Sequence, residues 1–303
     1  MSLTTSTTWT NLIQEVLLPQ VESTFYQNNS LFSIWTPEKH AIGDSIDWAI
    51  DYGPATDYSA TYDQGDPAPN PNIETILKGT VAKQPFQVLA KISKVALDYM
   101  GGNKLGMSDP IMMDVAQKTA QLMNTVNTTL LANFEAAVDS TGSYDGNSRA
   151  TYTGLASYEA APNTTATLAH WEDCWEALID NDRGVDPANI ISLTAWNQIT
   201  NYVRLATGAS NMPFNHTSGQ VIDGGRLAPG CMFNGRPVYG IGDMTDTTLL
   251  MGDKTKVAIY EARGITIEEK SVMADEIALL ITCNYQIVVK NTQKWGKTTG
   301  LTA

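Results

Sequence analysis

The chain has 303 residues, 43% hydrophobic and 17% charged, with a formal net charge of -13 and an isoelectric point near 4.6. It is long and apolar enough to bury a sizeable core, which excludes a disordered polymer. Its acidity argues against a basic groove gripping a nucleic acid backbone. Residues 1–80 hold ten Asp or Glu against two Lys, a local net of -8, so most of the excess acid lies at the front of the chain.

Cys174, Cys231 and Cys283 are scattered and form no CxxC pair, the pattern of free thiols in a reducing compartment. No run of eighteen apolar residues suggests a membrane-spanning helix. The first residues lack the basic and apolar regions of a secretory signal.

In chain order, residues 1–43 open with a Ser/Thr tract. A short amphipathic segment follows, in which Leu12, Ile13, Val16 and Leu17 share a face before Pro19. Trp9, Leu12 and Trp35 lie among polar residues without a self-sufficient period. They are expected to dock on a neighbouring subunit, making this stretch an arm.

Residues 44–51 alternate polar and apolar as a half-buried strand does, and residues 73–94 return in the same style. The tip between them is dense in Gly, Pro, Asp and Asn, and a loop of that length is usually functional or held by a partner. Asp57, Asp63 and Asp66 crowd this tip. Their spacing is not that of an EF-hand loop, so a solvated acidic loop is favoured over a calcium site; on a long Pro- and Gly-rich tip they are expected to act between subunits, paired with a neighbour's Lys or Arg.

Residues 94–100 read as a helix ended by Gly101 and Gly102. Residues 110–138 then form the longest periodic run of the chain. Ser108 or Asp109 can cap it, Pro110 suits its first position, and Asp114 suits its dipole. Met112, Ala116, Thr119, Met123, Val126, Leu130, Phe134 and Ala137 make one predicted stripe. At ~1.5 Å per residue the rod is roughly 40 Å long.

Residues 139–163 read as a polar connection. Residues 165–180 are predicted helical, 188–193 a buried strand and 194–206 a second helix. Residues 235–242 and 247–251 return to extended structure. Val257, Ile259, Ile265 and Ile267 alternate across Arg263 and Gly264, which predicts a bend or hairpin there, and residues 276–291 read as a long central strand.

Catalytic motifs are scarce. His40, His170 and His216 form no ligand pair, and His170 with Cys174 supplies only two ligands on a helix already explained by Trp171 and Trp175. Gly240 and Gly242 lack the third glycine of a dinucleotide fingerprint. The expectation is a non-enzyme with no cofactor and no metal site.

The order of parts resembles the tailed-bacteriophage major capsid protein family, with its Hong Kong 97-type fold, over most of the chain. The most specific passages are Gly235-Arg236-Pro237-Val238 followed by Leu250-Met251-Gly252-Asp253, and then residues 256–267 with their strand and bend. The resemblance implies an α+β fold with an N-terminal arm (1–43), an E-loop β-excursion (44–95), and a peripheral domain with a spine helix (96–163). An axial domain (164–253) and return strands of the peripheral domain (254–303) complete it. It implies a virion protein, assembled in the host cytoplasm as pentamers and hexamers of an icosahedral shell around double-stranded DNA. Its partners would then be copies of itself, a portal, a scaffold or decoration protein, and packaged DNA contacted without sequence preference.

Two features depart from the family. Leu280, Thr282 and Asn284 stand where its last strand often carries arginines, and a short arm replaces a long helical pre-domain, implying a separate scaffold or none. Two other readings compete: an encapsulin-like compartment with the same fold, and a soluble α+β enzyme with a metal in the loop from Asp51 to Asp66.

Overall fold

A computed structural model of the chain describes residues 30–40, 43–51, 76–94, 110–138, 158–165, 168–179, 185–195, 198–199, 214–215, 220–223, 226–229, 231–245, 247–269 and 276–302. None of its described helices is long and apolar enough to cross a membrane.

A short helix α1 (Ser30–Ile34) leads into strands β1 (Glu38–Lys39) and β2 (Ser45–Asp51). Strands β3 (Ile76–Ala82) and β4 (Gln84–Ser93) follow, then the long helix α2 (Pro110–Ala137). Next come β5 (Tyr158–Thr165), α3 (Leu168–Ile179) and β6 (Ile190–Thr194). The short strands β7 (Phe214–Asn215), β8 (Gln220–Asp223), β9 (Arg226–Pro229) and β10 (Cys231–Phe233) precede β11 (Arg236–Gly240) and β12 (Leu249–Asp253). Two long strands, β13 (Val257–Glu269) and β14 (Glu276–Val289), and finally β15 (Trp295–Thr302), close the chain.

The strands form a four-stranded sheet ordered β1-β13-β14-β4 and a seven-stranded sheet ordered β5-β15-β12-β6-β11-β10-β7. There are also two separate ribbons, β2-β3 and β8-β9. Helix α2 packs against β4 and β14 of the first sheet. Its Val115, Leu122, Val126, Leu130, Leu131, Phe134 and Ala137 share one core with Phe86, Ala90, Ile281, Cys283, Ile287 and Val289, and its Met123 is buried as well.

The predicted stripe holds from Met123 onward and fails before it. Ala116 is exposed and Thr119 half-buried, while Val115 and Leu122 point inward. The twist of a sheet under a rod moves the contact line around the rod, so the buried face slips by a residue over the first turns. Asp114 consequently lies on the buried side, 8% exposed, and its Oδ2 has no hydrogen-bond partner among the described residues. Burial raises its carboxyl pKa, with Lys118 opposing.

The seven-stranded sheet is covered on both faces. Strands β6 and β12 are buried along their whole length, the pattern of strands with no wet side. On one face Trp171, Cys174 and Leu178 of α3 pack on Phe233, Val238, Leu249 and Met251. On the other, Ile191, Leu193 and Leu250 join the core under α2. Trp295 of β15 sits where the two sheets meet, fully buried, edge-on to Phe134 at 4.8 Å between centroids. The last strand therefore returns to the second sheet. It pairs antiparallel with β12 and parallel with β5.

Other local expectations also change. Strand β5 begins inside the predicted polar connection, and α3 starts only at Leu168. Strand β13 runs through Arg263 and Gly264 without a hairpin. Its register with β14 shifts between Glu261 and Arg263 and again between Arg263 and Thr266, so the break is a pair of bulges. The helix expected at 94–100 lies outside the described residues apart from Lys94, and that at 194–206 apart from residues 198–199 and the strand end before them.

Candidate inter-subunit surface

Residues 73–94 are not one returning strand. The strand breaks at Lys83: β3 pairs with β2 in the excursion, and β4 pairs with β14 in the first sheet. The root of the excursion is held at this break. The Lys83 backbone N–H donates to the Asp44 carbonyl at 3.0 Å, and its Nζ donates to the Gly43 carbonyl at 2.7 Å. Gly43 has φ +73°, a left-handed turn that glycine takes without strain.

Behind the break, Gln286 Nε2 donates to the Ala82 carbonyl at 3.0 Å. Asn133 Nδ2 of α2 donates to Gln84 Oε1 at 3.1 Å and to Gln286 Oε1 at 3.3 Å. Trp48 of β2 reaches back and donates from Nε1 to the Lys290 carbonyl at 3.0 Å. Its ring lies on Gly79, where an added Cβ would come within 2.4 Å of the indole. Further out, Lys78 and Asp47 form an exposed ion pair at 2.9 Å, and the Lys78 hydrogen bond holds the Asp47 carboxyl below its usual pKa. The excursion is thus clamped at its base by side-chain hydrogen bonds.

The expected contact residues fall into two groups. Trp9, Leu12, Asp57, Asp63 and Asp66 lie outside the described residues. Trp35 is in the core of its own subunit and is no docking residue. It is 5% exposed, lies edge-on to Phe134 at 5.6 Å between centroids, faces Trp295 at 6.2 Å, and donates from Nε1 to the Lys254 carbonyl at 3.0 Å. Its partners come from distant parts of the chain, so polar neighbours in sequence said nothing about its burial. Leu31 of α1 joins it, its N–H donating to Asn127 Oδ1 at 3.3 Å on the long helix.

The large apolar side chains left exposed among the described residues are Ile179, Ile265 and Ile267, the last two being 41% and 51% exposed. Sequence alternation marked Ile265 and Ile267 as strand residues, but nothing in it separated an uncovered strand from a covered one.

Two cysteines among the described residues are buried. The Cys283 thiol, 2% exposed, is pushed up to about 11 by burial, and the Tyr285 hydroxyl to about 12 by burial and by Glu261 beside it. Such a thiol is inert at neutral pH. Cys174 is also buried, and a Cβ on Gly296 would sit 2.9 Å from its Sγ, so packing explains this side chain. Among the described residues no three His, Cys, Asp or Glu are placed to hold a metal ion.

No protein-family model matches the chain, and no curated protein matches it in sequence. Solved structures do match it over nearly its whole length. The capsid subunit of cyanophage A-1(L) is 15% identical and superposes with a TM-score of 0.74, covering 99% of this chain and 100% of its own. The Mycobacterium phage Bobi structure is 12% identical with a TM-score of 0.61, covering 98% and 99%. The SrpI encapsulin of Synechococcus elongatus is 11% identical with a TM-score of 0.58, covering 99% and 96%. The chain has the fold of tailed-phage capsid subunits. It is the Hong Kong 97-type α+β fold, with helix α2 as its spine and the β2-β3 ribbon as its excursion.

Proposed function

We propose that the protein is the major capsid protein of a tailed phage, self-assembling into an icosahedral shell around double-stranded DNA. The observation that carries this reading is the superposition of this chain, over 99% of its length, on a phage capsid structure with a TM-score of 0.74. The architecture is consistent with it: a two-sheet body bears a β2-β3 ribbon that, among the described residues, is held to the body by side-chain hydrogen bonds at its root, which suits a part that extends over a neighbour.

In this reading residues 1–43 are an arm, 44–95 an E-loop, 96–163 with 254–303 the peripheral domain, and 164–253 the axial domain, with residues 295–302 completing the axial sheet. Trp9 and Leu12 of the arm and Asp57, Asp63 and Asp66 of the excursion tip make contacts between subunits. The acidic subunit repels DNA at the inner wall, so that packaged genome slides without sticking. The role is structural and not enzymatic, and the protein works in the virion after assembly in the host cytoplasm beside a portal and a scaffold or decoration protein.

Electron microscopy of the purified recombinant protein, with light scattering across concentration and salt, tests the reading. Closed shells or curved sheets are expected, and monomers or dimers throughout would sink it. The encapsulin likeness supports a second reading, a compartment shell. Neighbouring genes for portal and terminase, or for a cargo enzyme, separate the two.

A further inference from the structure

Helix α2 covers the inner face of the first sheet over β4 and β14, but that face continues onto the distal half of β13. Ile267 pairs across the ladder with Ile281, which is fully buried, yet Ile267 itself is 51% exposed; Ile265, two residues earlier, is 41% exposed. Residue pairs directly opposite one another share a sheet face, so Ile267 extends the core face beyond the reach of the helix, and the exposed Ile265 lies beside it at the bulge.

The backbone edge is open at the same place. Strand β1 pairs with β13 at Tyr260 and Glu261, and the His40 N–H donates to the Glu261 carbonyl at 2.8 Å. Among the described residues no strand borders residues 263–269 on that side. An apolar strand with an unpaired edge is a template for another chain.

Charge indicates which chain. Glu268 and Glu269 end this strand, Glu268 already holding Arg263 at 2.9 Å. The other end of the same ladder carries Lys254, Lys256 and Lys290, with the Lys290 N–H donating to the Lys256 carbonyl at 2.7 Å. A β13-β14 ladder acidic at one end and basic at the other is complementary to a second copy of itself, met head to tail. Such a contact is heterologous, and its repetition gives rings where the rotation between copies closes and open arrays where it does not.

We infer that the distal edge of β13, with Ile265, Ile267 and Glu269, is a docking surface for the lysine-bearing ladder end of a second copy of this chain. The inference rests on the shell reading, and the test keeps the two apart. Ile265→Ser with Ile267→Ser changes exposed side chains and should leave the isolated subunit folded, as judged by its circular dichroism and melting. The fraction sedimenting as particles should fall at least about tenfold against wild type at equal concentration. Glu268→Lys with Glu269→Lys should lower it as well, and adding Lys254→Glu with Lys256→Glu should restore it. Wild-type protein that never assembles would remove the shell reading itself. Wild-type particles with equally good assembly of the serine variant, or no restoration by the charge swap, would overturn the docking surface while leaving the shell intact.

Discussion

Two tryptophans in this subunit lie on glycines, and the two seats differ. Trp295 is fully buried between the sheets, on Gly252, where an added Cβ would come within 2.4 Å of the indole and 2.5 Å of the Lys294 carbonyl. Trp48 is half-buried in the excursion, on Gly79, where the nearest atoms all belong to the indole. In the first seat backbone blocks any adjustment. In the second the ring can swing toward solvent. The body is held by apolar burial that admits no give, and the excursion by a few hydrogen bonds that can be released singly. On the shell reading proposed above, the rigid body would set curvature and the extension would settle on a neighbour.

The comparison can be broken first at its rigid end. Met123, on the spine helix, is 6% exposed, between the core residues Leu122 and Val126. Met123→Asp should cost several kcal/mol for an unpaired buried carboxylate, a large share of a domain's roughly 5–15 kcal/mol. Insoluble or unfolded protein is expected, and wild-type melting would mean that this face is not core.

Gly252→Ala should come next, with a loss of about 3 kcal/mol in urea unfolding, the upper part of the overpacking range. Gly79→Ala should cost only about 1 kcal/mol, the net worth of the Trp48 hydrogen bond to the Lys290 carbonyl. Its main effect should be faster hydrogen exchange in β2 and β3, with the rest of the subunit unchanged. Equal losses from the two alanines would erase the distinction between the seats. Between them lies Asn133→Ala, which takes a donor from Gln84 and Gln286 at the excursion root and should cost about 1–3 kcal/mol. Its exchange signature should match that of Gly79→Ala.

The body was more legible in the sequence than the parts that join it. The spine helix announced itself because a 3.6-residue period over 28 residues survives local error, and β2 because polar and apolar residues alternate strictly. Strand β5 did not, since Tyr158–Thr165 contains Pro162 and no alternation; pairing with β15 alone makes it extended. Trp35 was misassigned because its partners Phe134, Lys254 and Trp295 lie about a hundred residues or more away. The bulges in β13 mimicked a bend, because Gly264 is a turn signal whether the chain turns or only slips register. Of the expected contact residues, the excursion tip and arm lie outside the described residues, and the exposed isoleucines needed the covering helix to be seen before their exposure meant anything.

The smallest predicted effect concerns Asp114, the one place where the rigid face of the helix accepts an unsatisfied carboxyl oxygen. Burial raises its pKa above the ordinary 3.8, and Lys118, one turn along, only partly opposes this. The sign follows from proton linkage. Below the ordinary value both folded and unfolded chains hold the proton, and the site carries no penalty. As pH rises past it, the unfolded chain releases its proton while the folded chain keeps one, so stability contributed at this site declines until the folded carboxyl also ionises. Asp114→Asn removes that titration. The variant should therefore gain on wild type in urea midpoint as pH rises from about 3 to about 8, with the gain levelling off once the folded carboxyl has titrated. A difference between the two proteins that stays constant over this range would show that Asp114 is solvated, and that the helix face there is as open as the excursion.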